Sequence, residues 1–220
     1  MYLDDFKKIY ELSKLTRDIE KSIDSTDNIA GKQNLLDLQK EINDLEAQGV
    51  QLSEYDVENL RAKYDLRLAE IALEEAQNAK SQVRMTRDTE GNWSYVYTAD
   101  ENKMAEAQQN YEDKLYAMQE LNAQYIENLE SLMLQSQQKL MQELGALDKT
   151  ALGDRYDDEV QRITSFYLSQ QDIYSAQLNN ALGNATDTYS FWEGYSERTG
   201  YSISANQDWV NSFEETQLSI

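Results

Sequence analysis

The sequence of 220 residues contains no proline, no cysteine and no histidine. About 11 prolines would be expected at average usage, and proline costs about 3 kcal/mol inside a helix, so its absence favours long uninterrupted helices. Without cysteine the chain has no disulfide and no thiolate nucleophile. Without histidine it has no imidazole metal ligand and no Ser-His-Asp catalysis. These absences exclude most catalytic designs.

Basic residues are also scarce, because 20 Lys and Arg stand against 41 Asp and Glu and give a formal net charge of −21. Such acidity repels nucleic acids and anionic membranes, so no direct contact with nucleic acid is expected. The apolar runs are too short to cross a bilayer, so no stable membrane insertion is expected. Hydrophobic content of 40% and mean hydropathy of −0.78 favour an elongated body with a thin core.

Apolar residues recur at steps of three and four along most of the chain, which is the periodicity of amphipathic helices. They predict helices at about 2–23, 32–48, 53–82 and 100–147. A polar stretch at 24–31 separates the first two helices, and Gly49 is expected to end the second. Ser53 followed by Asp56 has capping-box spacing at the start of the third. Residues 1–150 are therefore expected to form an elongated helical region.

The fourth helix carries the longest apolar stripe, which runs from Met104 through Leu121 to Leu147. Before it, the apolar period changes from helical to two. Residues 83–87 and 93–97 alternate as strands do, and Gly91 in the intervening DTEGN can adopt a positive φ. This pattern predicts a β-hairpin over 83–98. The expected fold class is mainly α: an elongated helical bundle, or coiled-coil-like helical hairpin, with one inserted β-hairpin.

The C-terminal part, residues 151–220, differs in composition. A helix is predicted at about 154–182, with Gly183 ending it. The residues that follow mix small polar side chains with aromatics, and they predict a polar, aromatic tail with a short helix at 205–217. The chain ends in TQLSI without a closing element, and this leaves open whether it is an excised piece of a longer protein.

Trp93, Tyr95 and Tyr97 are predicted to line one face of the second strand. Trp and Tyr dominate binding hot spots, so this face is a candidate contact with another subunit or partner. The alternative is that the three residues pack on the flanking helices or pair across the hairpin. Something is expected to cover them, since an isolated two-stranded hairpin is marginally stable in water.

A second aromatic cluster near the C-terminus contains Phe191 and Trp192. It is a candidate surface for a partner or a carbohydrate. The alternative, which such clusters more often follow, is packing on the nearest helices. If the cluster is a binding surface, Phe191 and Trp192 are the candidate partner contacts in it.

Carboxylates in the hairpin turn and in adjacent acidic pairs are candidate chemical sites. Asp88-Thr89-Glu90-Gly91-Asn92 resembles part of a calcium loop, but the full twelve-residue loop is missing, which favours plain turn chemistry. Neighbouring carboxylates such as Asp157 and Asp158 do not share a helix face, so they form no catalytic dyad. No catalytic residue, cofactor site or metal ligand is predicted, and no enzymatic activity is expected.

Two adjacent stretches carry a family resemblance: LSEYDVENLRAKYDLRLAEIALEEAQNAKS and VRMTRDTEGNWSYVYTADENKMAEAQQNYEDKLYAM. They resemble the helical, hairpin-bearing segments of tail tape measure and related virion structural proteins of tailed bacteriophages. The resemblance covers about residues 2–150. It implies an α-helical assembly inside the phage tail that contacts tail-tube subunits and terminal tail proteins. Tape measure proteins are usually far longer than this chain, so a fragment or a smaller virion protein with the same module is implied.

The expected function is therefore that of a non-enzymatic structural or assembly protein. It is expected to self-associate, to contact other tail proteins, and to reside in a virion assembled in the host cytoplasm. The alternative is a bacterial coiled-coil adaptor or secreted interaction module that docks through its β-hairpin. If the chain is not part of a virion, a cytoplasmic location is expected.

Overall fold

The computed structural model describes residues 2–47, 52–80 and 82–200. In chain order the elements are α1 (Tyr2–Ser25), α2 (Ile29–Ala47), α3 (Glu54–Asn78), β1 (Gln82–Arg87), β2 (Trp93–Thr98), α4 (Glu101–Ala146), α5 (Lys149–Leu152), a 3-10 turn (Gly153–Arg155) and α6 (Tyr156–Thr199). The strands form one antiparallel hairpin. The predicted fold class, mainly α with one inserted β-hairpin, is confirmed. No helix in the described ranges is long and apolar enough to cross a membrane.

Side-chain caps set the starts of α2 and α3. The break between α1 and α2 is shorter than the predicted 24–31, because Asn28 caps α2: its Oδ1 accepts the Gly31 N–H at 2.9 Å. The predicted capping box of α3 is confirmed, since Ser53 accepts the Asp56 N–H and Asp56 accepts the Ser53 N–H. Gly49, the predicted end of α2, lies outside the described residues.

The prediction that Gly183 ends the last long helix is wrong. The helix continues to Thr199 and ends where Gly200 adopts a left-handed conformation with φ of 72°. Residues 184–199 are therefore helical and do not belong to a tail. The predicted short helix at 205–217 lies outside the described residues.

The chain divides into two compact units, which separate inside α4. Unit 1 is Met1–Met118 and unit 2 is Gln119–Ile220. This division differs from the predicted boundary near residue 150.

Unit 1 is built around a bundle of α1, α2 and α3. Its core joins the apolar stripes of the three helices: Leu12, Leu15, Ile19, Ile23, Leu35, Leu38, Ile42, Leu60, Tyr64 and Ile71. Polar groups at its edge are matched within the bundle. The buried Lys63 ammonium lies 3.0 Å from a Glu41 carboxylate oxygen, and the Tyr64 hydroxyl donates to the Asp18 carbonyl at 3.1 Å.

Unit 2 is built from the C-terminal part of α4 and the antiparallel α6. Two hydrogen bonds fix their register: Asn122 Nδ2 donates to Thr188 Oγ1 at 2.8 Å, and the Tyr167 hydroxyl donates to Glu143 at 2.6 Å. As the α4 position advances by 21 residues, the α6 position falls by 21, as an antiparallel helix pair requires. The Asn122–Thr188 pair is buried, so it is a polar contact within the unit's core.

Candidate partner-binding surface

The hairpin turn is held by its own backbone and by one glycine. The Gly91 N–H donates to the Asp88 carbonyl at 3.1 Å, and the Asp88 N–H donates to the Asn92 carbonyl at 3.0 Å. Gly91 has φ of 92°, a left-handed conformation that L side chains rarely adopt. The result is a three-residue loop of the kind that ends in a glycine bulge and fixes the register of both strands.

The Asp88 carboxylate also stabilises this turn, through hydrogen bonds to its side chain. It accepts the backbone N–H of Asn92 at 2.8 Å, the backbone N–H of Glu90 at 2.9 Å and the Asn92 side-chain amide at 3.3 Å. These donors, with the Asn92 N–H contributing most, lower the pKa of Asp88. The contacts are those of an Asx turn, which is the plain turn chemistry that the sequence favoured over a calcium loop.

The strand register places the apolar side chains on one face. Val83 lies opposite Tyr97, Met85 opposite Tyr95, and Arg87 opposite Trp93. Alternation along a strand sends these side chains to the same side of the hairpin. The Arg87 guanidinium lies 5.8 Å from the centre of the Trp93 ring and Arg87 Nε donates to the Gly91 carbonyl at 3.0 Å, so Arg87 borders this face at the turn.

We call the set Val83, Met85, Trp93, Tyr95 and Tyr97 the apolar face. Each of its five side chains is between 54% and 69% exposed. The described helices therefore do not cover it, and the alternative that flanking helices bury its three aromatic residues is wrong for the described part of the chain. Val83 and Met85 are not among the predicted contact residues, although their period-two spacing on β1 is a signal that identifies them.

The opposite face of the hairpin is mostly polar, with Val96 as an apolar residue on it, and faces the start of α4. The Arg84 guanidinium forms an ion pair with Glu101 in the first turn of that helix. Thr86 and Ser94, directly opposite each other, bring their hydroxyls to 3.2 Å. Because Arg84 and Trp93 lie on different faces, the contact with Glu101 leaves the apolar face directed away from the start of α4.

The second candidate surface is not brought to the exterior as a set. Trp192 is fully buried in unit 2 and packs edge-on against Tyr195, with ring centres 6.1 Å apart. Phe191 is half-buried. The expectation that Trp192 is a partner contact is wrong, since its side chain is fully buried, and the packing alternative is correct for it.

A cleft of about 590 Å³ lies between α1 and α3 in unit 1. Its charged lining is balanced within the protein. Lys7 Nζ lies 3.0 Å from Glu54 Oε1, and Arg61 Nη2 lies 3.2 Å from Glu11 Oε2. The third cation of the lining, Lys8, donates from Nζ to the Leu52 carbonyl at 3.3 Å, so each of the three has a partner within the protein.

Within the described ranges, no group of three or more Asp and Glu side chains is arranged to hold a metal ion. Comparison with protein-family models, curated proteins and solved structures finds no match for this chain in any of the three. The apolar face is thus the surface whose geometry most clearly fits a binding role.

Proposed function

We propose that this chain is a non-enzymatic structural protein of a phage virion, tape measure-like or a segment of such a protein, and that it makes assembly contacts through its β-hairpin. The tail assignment rests on the sequence resemblance over residues 2–150. The contact role rests on one observation, the exposed apolar face between α3 and α4.

The apolar face supports this role because exposing it to water is unfavourable. A Trp or Tyr side chain carries about 200 Å² of surface, and the Trp93, Tyr95 and Tyr97 side chains are each about 60–70% exposed. Covering all three therefore removes roughly 380 Å² from water. At about 25 cal/mol per Å², this provides on the order of 9 kcal/mol before association costs are subtracted. Those costs are of similar size, so a partner must add hydrogen bonds or further contacts.

The charge distribution favours a protein partner. The whole chain has a net charge of −21, which opposes a grip on nucleic acid. Residues 80–98 contain three cationic and two acidic residues, so this segment carries a net charge of about +1. A nearly neutral aromatic surface on an acidic body suits contact with another protein.

Mass spectrometry of tailed particles induced from the source strain tests the virion assignment. The chain, or a longer protein that contains it, is expected to co-purify with tails at a fixed stoichiometry. Its absence from particles, together with its presence in cytoplasm or culture medium, would contradict the assignment and favour the adaptor or secreted module.

Tagged variants incorporated into the same particles test the contact role. Trp93→Ser with Tyr95→Ser should reduce incorporation, because it removes two of the exposed rings. Tyr10→Ser is the matched control, since Tyr10 on α1 is as exposed as Tyr97, at 60%. Equal incorporation of both variants would count against the hairpin as the contact, provided that circular dichroism shows unchanged helix content.

A further inference from the structure

The outer edge of β2 has no strand beside it in the described part of the chain. The sheet consists of β1 and β2 alone, so one edge of β2 pairs with β1 and the other does not. Unpaired N–H and C=O groups on a sheet edge form a template for another strand. This edge can supply the hydrogen bonds that the apolar face alone lacks.

Within its length, β2 carries neither the charged residues nor the proline with which proteins often block such an edge. Its sequence, WSYVYT, contains no charge, no proline and no glycine. β1 differs, because Arg84 and Arg87 place two cations on its short length. Charged side chains on an edge strand oppose pairing with another chain. Of the two edges, that of β2 is the one open to pairing.

Hydrogen-bonded and non-hydrogen-bonded residue pairs alternate along the hairpin, and this alternation sets which backbone groups of β2 point to its outer edge. Because Asp88 donates to Asn92, that pair is hydrogen-bonded, and the pairs alternate from there along the strands. Trp93, Tyr95 and Tyr97 consequently belong to pairs that are not hydrogen-bonded to β1. Their N–H and C=O groups point to the outer edge.

The order of side chains on β2 is self-complementary. Aromatic residues occupy positions 93, 95 and 97, symmetrically about Tyr95. An antiparallel second copy of β2, centred on Tyr95, would place Tyr95 opposite its own equivalent and Trp93 opposite Tyr97. Each of these pairs is aromatic with aromatic, a favourable class of cross-strand pair. All three are also the residues with outward-pointing backbone groups.

We propose that two copies of this chain pair through β2, antiparallel and centred on Tyr95, to form a four-stranded sheet across a twofold axis. The proposal deepens the proposed function, on which it rests, by naming a second copy as the partner of the hairpin. The pairing provides three hydrogen-bonded residue pairs and joins both apolar faces into one aromatic surface. The near-neutral charge of residues 80–98 allows two otherwise strongly acidic chains to meet there.

Cysteine scanning of the full chain tests the twofold axis, because the natural sequence has no cysteine. Residues in a hydrogen-bonded antiparallel pair have Cα atoms about 5.5 Å apart, within disulfide range. Tyr95→Cys should give a covalent dimer on mild oxidation. Ser94→Cys is the matched control: two copies of residue 94 lie diagonally, roughly 7–8 Å apart and on the other face, and should cross-link little. Equal or stronger cross-linking through Ser94→Cys would overturn the register.

Charge exchange at the axis gives an independent measurement by analytical ultracentrifugation. Tyr95→Lys and Tyr95→Glu should each weaken self-association at least about tenfold, since like charges then face each other and two rings are lost. Mixing the two variants should restore a dimer. Unchanged dimerisation of both single variants, or failure of the mixture to associate when circular dichroism shows folded helices, would overturn the proposal.

Salt dependence separates this proposal from the broader one. Self-association of acidic chains through a neutral edge should strengthen as salt screens their repulsion. A wild-type chain that stays monomeric at every salt concentration would overturn self-pairing. In that case incorporation of the chain into tail particles, which measures the proposed function, could still be observed.

Discussion

Replacement of Gly31 by alanine tests the packing of α2 on α3. Gly31 is buried in the first turn of α2. A Cβ added there would lie 2.8 Å from Ile71 Cδ1 and closer still to Ile71 Cγ1. Carbon atoms in normal contact are about 3.5–4.0 Å apart, so α2 or the Ile71 side chain must move by about 1 Å. Ile71 belongs to the core cluster and has little room to move.

The two opposing effects of this substitution differ in size. Overpacking a core costs about 1–3 kcal/mol, whereas alanine gains about 0.5–1 kcal/mol over glycine in a helix. Gly31→Ala should therefore destabilise the α2–α3 contact by about 1–2 kcal/mol. Gly183→Ala is the matched control, because nothing lies within 4 Å of its added Cβ. That variant should stabilise α6 by about 0.5–1 kcal/mol.

Hydrogen exchange read by mass spectrometry is the appropriate assay, because it follows the two units separately. A double-mutant cycle with Ile71→Ala gives the specific test. That variant removes both clashing atoms, so Gly31→Ala should cost about 1–2 kcal/mol less in the Ile71→Ala background. If Gly31→Ala stabilised α2 as much as Gly183→Ala stabilises α6, the inferred steric clash with Ile71 would be refuted.

Three further predictions concern the caps, the core of unit 2 and the hairpin turn. Ser53→Ala should lower the stability of the first turn of α3 by about 1 kcal/mol, measured by hydrogen exchange; unchanged protection would mean that the capping box contributes nothing. Asn122→Ala should cost about 1–3 kcal/mol in chemical unfolding because it removes the buried donor to Thr188, whereas Asn122→Leu with Thr188→Val should be nearly neutral. An equal loss in both would contradict the hydrogen-bond account. Because its contacts lower the pKa of Asp88, the turn should keep its full stabilisation above about pH 4 and lose it as the pH falls through that lowered pKa. An NMR titration of the Asn92 amide with a midpoint above pH 4 would contradict this sign.

The features that the sequence predicts well have partners close along the chain. The capping box joins Ser53 to a residue three positions later, and the hairpin turn joins Asp88 to a residue four positions later. In both, residue type and spacing fix the geometry without reference to the rest of the fold. The mainly α fold class with one inserted hairpin follows from such local signals together with the apolar periodicity.

The end of α6 could not be predicted in this way, because tertiary packing outweighs a local signal. A glycine inside a helix costs about 0.5–1 kcal/mol relative to alanine, so Gly183 is a reasonable local stop. The residues after it nevertheless continue the buried face of the helix: Ala185, Thr188, Trp192 and Tyr195. Burial of a single large side chain such as Trp192 outweighs the cost of the glycine.

The buried face of α4 shows a second limit. The apolar stripe passes through Leu121, but the structure fully buries the neighbouring Asn122. The Asn122 side chain is acceptable there because Thr188, 66 residues away, accepts its hydrogen bond. A pattern based on apolarity cannot identify a buried position whose partner is distant and polar.

The sequence alone does not decide whether the apolar face is exposed, whereas in the structure its five side chains are 54–69% exposed. Alternating aromatic residues fit both a buried strand and a binding surface, so Trp93 and Tyr95 alone cannot decide between them. Arg84 lies on the other face and pairs with Glu101, which begins α4. This exposed ion pair contributes about 0–1 kcal/mol. That is enough to bias the orientation of the hairpin, but it is less than the free energy that burial of an aromatic face would provide. Trp93 and Tyr95 therefore lie exposed on the face directed away from Glu101, a placement that their alternation alone does not predict.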